Sequence, residues 1–322
     1  MISFFKKKKQ YKNQIISEKD LTMPIDNPVL AALDLGEPNE EILQYAKTEL
    51  GEDPDTRCQI LDDFRDFIYE RGEVEPHRTD DSFLLRFLRA KKFNVRHAHK
   101  LLVNYYKFKE DNSDFFEDVH LDILQAVGKE QIITVPPYRE QHGRRILLYR
   151  MGLWDPEKFT TTELFQTTMI ILELAILEPR AQIFGGVCMF DLGGLTMQQV
   201  WYLTPTIARQ IFDIMVTSFP LQVQVVHIIN QPWIFEIIFN FFKPFLNDQM
   251  RERLFIHGSN MESLHKHIDP KFLPARYGGI HPDYTNSEWV KHFVSTEKIR
   301  WELESLGYPE LNQDLLINID EK

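Results

Sequence analysis

The sequence predicts an α/β protein: a small all-helical unit, then a domain in which strands and helices alternate around a largely parallel sheet. Two patterns carry the prediction. From Glu40 to about Asp118 apolar residues recur at helical spacing, and after Leu121 short β-rich runs alternate with longer helical stretches. The composition allows a sizeable core, since 43% of the 322 residues are hydrophobic and 26% are charged.

Residues 1–40 mix lysines, Asn, Pro and Asp with little periodicity and read as a flexible leader. Residues 41–120 form the helical unit. It contains a helix around Ile60 to Tyr69, a second in "TDDSFLLRFLRAKKF" and a third starting at Asn94. Thr79 to Asp81 supply N-cap candidates ahead of the apolar face Phe83, Leu84, Phe87 and Leu88. Residues 121–285 hold the strand candidates "QIITVP", "RRILLYRMG", "GGVCMFDLGG", "VQVVHIIN" and "LFIHG". Between them lie helices in "TELFQTTMIILELAILE" and "TPTIARQIFDIMVTSF", the latter with Thr204 as cap and Pro205 in the first turn. Residues 286–322 read as a C-terminal helix, "SEWVKHFVSTEKIRWELESL", and a polar end.

"WIFEIIFNFFKPFL", Trp233 to Leu246, predicts a helix of unusual exposure. Glu236, Asn240 and Lys243 fall on one narrow stripe and the remaining circumference is apolar, so two faces need cover. Its bulk is aromatic, and Pro244 marks a kink or an end. Fourteen helical residues reach about 21 Å, too short to cross a bilayer and long enough to lie in its interface.

Charge and motifs narrow the function. A net charge of -11 argues against general nucleic-acid binding, which needs a basic field. Cys58 and Cys188 are far apart and outside any CxxC pattern, which argues against a disulfide framework or a cysteine zinc site. The start "MISFFKKKKQ" puts lysines after a very short apolar stub, the reverse of a secretory signal, and no run of about 18 apolar residues occurs; a cytoplasmic location is expected. "FDLGGLT" echoes the phosphate loop of actin-like ATPases, with "LDLGEP" as its partner loop, but the surroundings of Pro38 lack the required strand and glycine hairpin. "HKHID" has the HxHxD spacing of some metallo-hydrolases, yet Pro270 follows where that pattern wants His. No GxSxG, HExxH, Walker or GxGxxG pattern is present, so neither an enzyme, a metal nor a cofactor is expected. Arg86, Arg89, Lys91, Lys92, Arg96 and Lys100 cluster on the helical unit, as a solvated face or as a local attractor for anionic headgroups.

"SFLLRFLRAKKFN", "FDLGG", "SFPLQVQVVHIINQPWIF", "KPFLNDQMRERLFIHG" and "LPARYGG", in this order and spacing, resemble the CRAL-TRIO family of lipid-binding proteins across roughly residues 45–285. The resemblance is greatest to the branch of alpha-tocopherol transfer protein and cellular retinaldehyde-binding protein. It implies an all-helical N-terminal domain packed on an α/β domain whose mostly parallel sheet floors an apolar pocket, under a mobile helical lid at about Asn230 to Arg253. The implied function is carriage of a hydrophobic small molecule, such as a retinoid-, tocopherol- or other isoprenoid-like lipid. Its exchange at membranes would involve no covalent chemistry.

Carried over position by position, the pocket comprises Phe165, Thr168, Met169, Leu172, Phe190, Leu203, Ile211, Ile214, Met215, Val223 and Val226, with Thr168 as a single orienting hydroxyl. Trp233, Phe235, Ile238, Phe241, Phe242 and Phe245 would form the lid and membrane contact. Lys91, Lys100 and Arg253 match phosphoinositide-binding positions, with Arg251 close by. Gln222, Gln224 and Gln249 stand where that branch carries charge, which weakens or rearranges headgroup binding. Lys243 matches the lid lysine of a phosphatidylinositol-transfer branch, but Leu221 replaces its Glu partner. The expected partners are thus a hydrophobic ligand and, transiently, a membrane surface with its phosphoinositides. The alternative is a phosphoinositide-sensing recruitment module that holds a lipid as a structural cofactor.

Overall fold

The structure, a computed structural model, describes residues 32–308 apart from 118 and 121. Most of the leader, including Lys6 to Lys9, and the polar end lie outside the described residues.

The helical unit comprises α1 (Glu40–Tyr45), α2 (Arg57–Arg71), α3 (Asp81–Ala90) and α4 (Val95–Asp111). Asp80 and Asn94 start α3 and α4 by accepting hydrogen bonds from the N–H groups of Phe83 and His97. Gly72 closes α2 in the left-handed region, φ 56°, where a side chain would be strained.

The α/β part begins with α5 (Asp122–Lys129), β1 (Ile133–Thr134) and β2 (Ile146–Arg150). Then come α6 (Thr161–Ala175), opened by a Thr160/Glu163 capping box, α7 (Pro179–Phe184) and β3 (Gly186–Asp191). The chain continues through α8 (Met197–Tyr202), α9 (Pro205–Phe212), a π-helical turn (Asp213–Ser218) and β4 (Val223–Ile229). It returns by α10 (Phe235–Phe242), a 3-10 turn (Lys243–Phe245) and α11 (Asp248–Arg251) to β5 (Leu254–Gly258). The last described elements are α12 (Met261–His265), α13 (Ser287–Ser295) and α14 (Glu297–Ser305).

The strands pair in the order β1-β2-β3-β4-β5; β1 runs antiparallel to β2 and the other three pairings are parallel. Each of the five strand runs read from the sequence contains one of these strands. Parallel pairing forces long crossovers, and the crossover from β4 to β5 is the aromatic stretch that begins at Trp233.

Alternation along the strands gives the sheet two different faces. Leu147, Tyr149, Cys188 and Phe190 face α6, whereas Ile146, Leu148, Val187 and Met189 face the opposite way and are buried with Leu264, Ile268, Phe272, Leu273 and Tyr277. Both faces are covered, so hydrophobic residues fill both registers.

Two sequence expectations change. The single terminal helix is two helices that meet at Thr296, and Trp289, Phe293, Ile299 and Leu303 from them are buried in the main core. The basic cluster of the helical unit is divided. Arg86 is buried and donates to Glu302 of α14 (2.9 Å), which also receives Arg78 (2.7 Å). Arg89 is buried and clamps Glu52 through Nε and Nη2 (both 2.7 Å) and Gln182 of α7 through Nη1 (2.7 Å). These two arginines tie the helical unit to the rest of the chain, and a buried guanidinium left unpaired would be costly. Lys92, Arg96 and Lys100 stay exposed.

Candidate functional site

Between the α6-facing side of the sheet and the α9 segment lies a partly open apolar cavity of about 110 Å³, several times the space one water molecule needs. From α6 it is lined by Phe165, Thr168 and Leu172, which fall on one helical face at i, i+3 and i+7. Phe190 of β3 and Val223 of β4 contribute from the sheet, and Leu203, Ile211, Ile214 and Met215 close the opposite wall. All nine are positions carried over in the sequence analysis. Met169 and Val226 do not line the cavity. Met169 is 1% exposed and packed in the core, and Val226, on the same sheet face, packs where Phe190, Ile228, Phe235 and Phe239 gather.

Sequence reasoning missed a substantial part of the wall: Ile133, Leu147, Tyr149, Met151, Trp154, Cys188, Phe219 and Leu221 among others. A signal for three of them was available, because Leu147/Tyr149 and Cys188/Phe190 are i, i+2 pairs on two neighbouring parallel strands and Phe190 was already read. Trp154 and Met151 gave none, since they sit in a short 3-10 turn and its cap after β2. Gln199 holds that turn on α8 by donating to the carbonyls of Met151 (3.1 Å) and Trp154 (2.5 Å).

The polar content of the cavity is small and paired. The hydroxyls of Tyr149 and Thr168 are 3.2 Å apart, so one donates to the other and one O–H remains for a ligand. Thr168 is therefore half of a pair rather than a lone orienting group. The Tyr149 ring stacks on Phe190, centroids 4.7 Å apart, and burial raises its hydroxyl pKa. Burial also pushes the Cys188 thiol up to about 12, which keeps it from acting as a thiolate nucleophile near neutral pH. No lining residue carries a charge near neutral pH: Leu221 fills the position of the acidic residue that would meet Lys243, and Lys243 is exposed, donating to Asn240 (3.2 Å).

The cover differs from the 14-residue helix read from sequence. Pro244 ends α10 at Phe242 and the chain continues as the 3-10 turn. Phe235 and Ile238 are buried and face inward: Ile238 joins Ile234, Leu195 and Val200, and Phe235 joins Leu192 and Ile228. Phe239 and Phe242 are partly buried against these groups, and Phe245 stacks on Phe212 of α9 at 5.3 Å. The α10 residues do not line the cavity. They rest on Met151, Phe190 and Leu203, which do, while α9 and the π turn form the immediate wall. Glu236, Asn240 and Lys243 are exposed, so the polar stripe faces solvent.

Large apolar side chains collect outside this cover. Trp233 beside α10 is 78% exposed and Trp201 of α8 is 76% exposed, with Leu153, Met197, Tyr202 and Ile237 also exposed. Leu195 and Val200 pack against Ile234 and Ile238, and the exposed Trp201 and Trp233, chain neighbours of Val200 and Ile234, mark the rim of this contact. Trp201 and Met197 were not among the residues read from the sequence.

Lys91 and Arg253 lie beside β4 or its entry, and Lys100 lies near the π turn that precedes it. Lys91 is half-buried, and burial lowers its pKa. Gln222 donates to the carbonyl of Ala90, the residue before Lys91, and Gln224 donates to Gln222 (2.9 Å). The Arg253 carbonyl accepts from the N–H of Val226 (2.8 Å). Lys100 lies one turn from Asn104, which donates to the carbonyl of Thr217 (3.0 Å). Arg251 turns to the carbonyl of Leu246 (3.2 Å).

The two catalytic echoes find structural explanations. Asp191 accepts from Gly193 N (3.0 Å), Asn230 Nδ2 (2.9 Å) and the Tyr277 hydroxyl (2.9 Å), so its carboxylate is occupied in holding a turn. In "HKHID", His265 bonds the carbonyl of Tyr277, His267 packs against Phe255, and Asp269 accepts from Lys271 N; the three diverge. Among the described residues no group of His, Cys, Asp and Glu is arranged to hold a metal ion, and no helix is long and apolar enough to cross a membrane.

Comparison with known proteins agrees with this architecture. A model of the CRAL/TRIO domain matches residues 129–279, and a model of the CRAL/TRIO N-terminal domain matches residues 38–104. Clavesin-1 of Xenopus laevis is 36% identical over 261 residues, which cover 80% of this chain and 79% of that protein. Clavesin-2 of Homo sapiens is 34% identical over 260 residues, covering 80% and 79%. A solved structure of Sfh5 aligns with a TM-score of 0.47 at 15% identity, over 83% of this chain and 99% of that one.

Proposed function

We infer the function from membership: the chain belongs to the CRAL-TRIO family of lipid-binding proteins, and its cavity is the place where a lipid would sit. On that basis it is a carrier that takes a hydrophobic small molecule, of retinoid-, tocopherol- or other isoprenoid-like character, and exchanges it at membranes. The observation that carries the reading is the apolar, uncharged cavity with one hydroxyl pair. Apolar ligand surface gains about 25 cal/mol per Å² on leaving water. An ionised headgroup would find no counter-charge there.

Exchange follows from the cover. Between β4 and β5 the segment 230–253 holds Phe235 and Ile238 inward and Trp233 and Ile237 outward. In water the inward aromatic residues favour closure. A bilayer interface accepts Trp201 and Trp233 and offers the inner face a second place to be buried, which lowers the cost of opening. Lys91, Lys100, Arg251 and Arg253 support weak recruitment to phosphoinositide-bearing membranes, each cation near an anionic surface adding about 1 kcal/mol.

The test is loading followed by transfer. Native mass spectrometry of the purified protein should detect a bound apolar molecule, and a fluorescent lipid in the cavity should pass to acceptor vesicles. A chain that neither retains nor accepts any apolar ligand would overturn the reading. Recruitment to phosphoinositide vesicles without transfer would favour the sensing module instead.

A further inference from the structure

The face of the sheet turned away from the cavity encloses three histidines that the carrier reading does not use. His227 of β4, His257 of β5 and His267 beyond α12 have ring centroids 5.2, 5.5 and 5.6 Å apart, and His227 and His257 are 1% and 7% exposed. The Phe255 ring lies 4.0 Å from that of His267 and 5.7 Å from that of His227. One hydrogen-bond chain runs from Ser263 Oγ to His257 Nδ1 (2.9 Å) and from His257 Nε2 to His227 Nδ1 (3.0 Å).

This cluster sits at the base of the cover. The segment 230–253 leaves β4 three residues after His227 and returns to β5 three residues before His257. Its root is pinned by Asn230 N donating to the Gly258 carbonyl (2.8 Å) and Gly258 N donating to Gln231 Oε1 (3.0 Å). Asn230 holds a left-handed backbone, φ 53°, which persists only while such contacts hold it.

Among the described residues no carboxylate hydrogen-bonds His227 or His257. On β3 the neighbour of His227 is Met189; on α12, Glu262 and Lys266 are exposed and His265 bonds the Tyr277 carbonyl; beyond it, Asp269 pairs with Lys271 (3.3 Å). Burial, then the other imidazoles, hold His227 down at about 3 and His257 at about 4. A first proton on His257 encloses a charge without a partner. A second on His227 sets N–H against N–H and breaks the 3.0 Å link. Separating β5 and the α12 loop from β4 relieves both.

We propose that the His227–His257–His267 cluster is an acid-sensitive latch: its protonation loosens β5 from β4, frees the root of the 230–253 cover and speeds release of the ligand. The latch regulates the carrier site and rests on that reading. The experiment loads a fluorescent apolar probe and follows its transfer to uncharged phosphatidylcholine vesicles at pH 7.4 and 5.0. Transfer should be about tenfold or more faster at pH 5.0. The double variant His227→Gln, His257→Gln should transfer at the parental rate at pH 7.4 and lose the acceleration. Equal acceleration in parent and variant, or none in the parent, overturns the latch.

Hydrogen exchange of the unaltered protein covers a variant that fails to fold. Between the two pH values the amides of Val226 to Ile229 and Phe255 to Gly258 should lose protection, while those of α2 to α4 keep theirs; a uniform loss or no loss overturns the proposal. This measurement needs no ligand, so a protein that loads no probe sinks the carrier reading while the strand response still tests the cluster.

Discussion

The two faces of one five-stranded sheet are built from the same kinds of residue and do different work. On the face toward α12, Ile146, Leu148, Val187 and Met189 meet Leu264, Ile268, Phe272, Leu273 and Tyr277 in a continuous core, and the Asp191–Tyr277–Asn230 hydrogen bonds lock its edge. On the face toward α6, Leu147, Tyr149, Cys188 and Phe190 border a cavity. The difference lies in the opposite wall. The first face is covered by a chain tied down by hydrogen bonds, the second by α9 and a π turn whose residues, apart from Ala208, Ile214 and Ser218, are only partly buried or exposed. Side-chain hydrophobicity alone therefore does not separate core from cavity; the anchoring of the cover does.

The sharpest way to break that comparison uses neighbouring leucines on β2. Leu148→Ala opens a hole in a filled core and should cost about 2–5 kcal/mol in denaturant unfolding. Leu147→Ala removes a side chain that already borders free space, so fewer contacts are lost, and about 1–2 kcal/mol is expected together with weaker retention of an apolar probe. Equal losses at the two positions would mean that the cavity is not a distinct environment.

Acid should act on the filled face first. Burial holds His227 and His257 below their unfolded value of 6.5, so the stability they contribute is complete above that pH and is lost as pH falls from about 6.5 toward 4 for His257 and toward 3 for His227. The urea midpoint should fall over this window in the parent and much less in the His227→Gln, His257→Gln variant. At the rim, Trp201→Ser with Trp233→Ser should change stability by no more than about 0.5 kcal/mol because both side chains are exposed. Ligand transfer to vesicles should slow by about tenfold, since the interfacial anchors are gone. Unchanged transfer would remove the rim from the exchange mechanism.

The strands, the caps at Asp80, Asn94 and Thr204, and nine wall positions were legible because each has a local signal: period-two runs, a capping side chain, or an ordered motif shared with a family. What stayed hidden depended on tertiary partners. Arg86 and Arg89 look like surface cations until Glu302 and Glu52, 216 and 37 residues away, are seen to meet them. Phe235 and Trp233 share an aromatic stretch, and only packing against Leu192 and Ile228 decides that the first turns in and the second out. The histidine cluster assembles from two strands and a loop, and the spacing within "HKHID" gave no sign that His267 would join histidines of β4 and β5.

The smallest expected effect separates a cavity that merely excludes water from one that selects its occupant. Tyr149→Phe removes one hydroxyl and leaves Thr168 facing apolar surroundings, although the stacked ring can stay on Phe190. A net hydrogen bond is worth about 0.5–1.5 kcal/mol, so folding stability should fall by no more than about 1 kcal/mol. Among apolar ligands of one skeleton, the parent should retain the alcohol over the hydrocarbon by several-fold, and Tyr149→Phe with Thr168→Val should erase that preference while hydrocarbon retention persists. If the alcohol keeps its advantage in the double variant, the hydroxyl pair plays no part in selection, and the polar contact must come from the backbone or the cover.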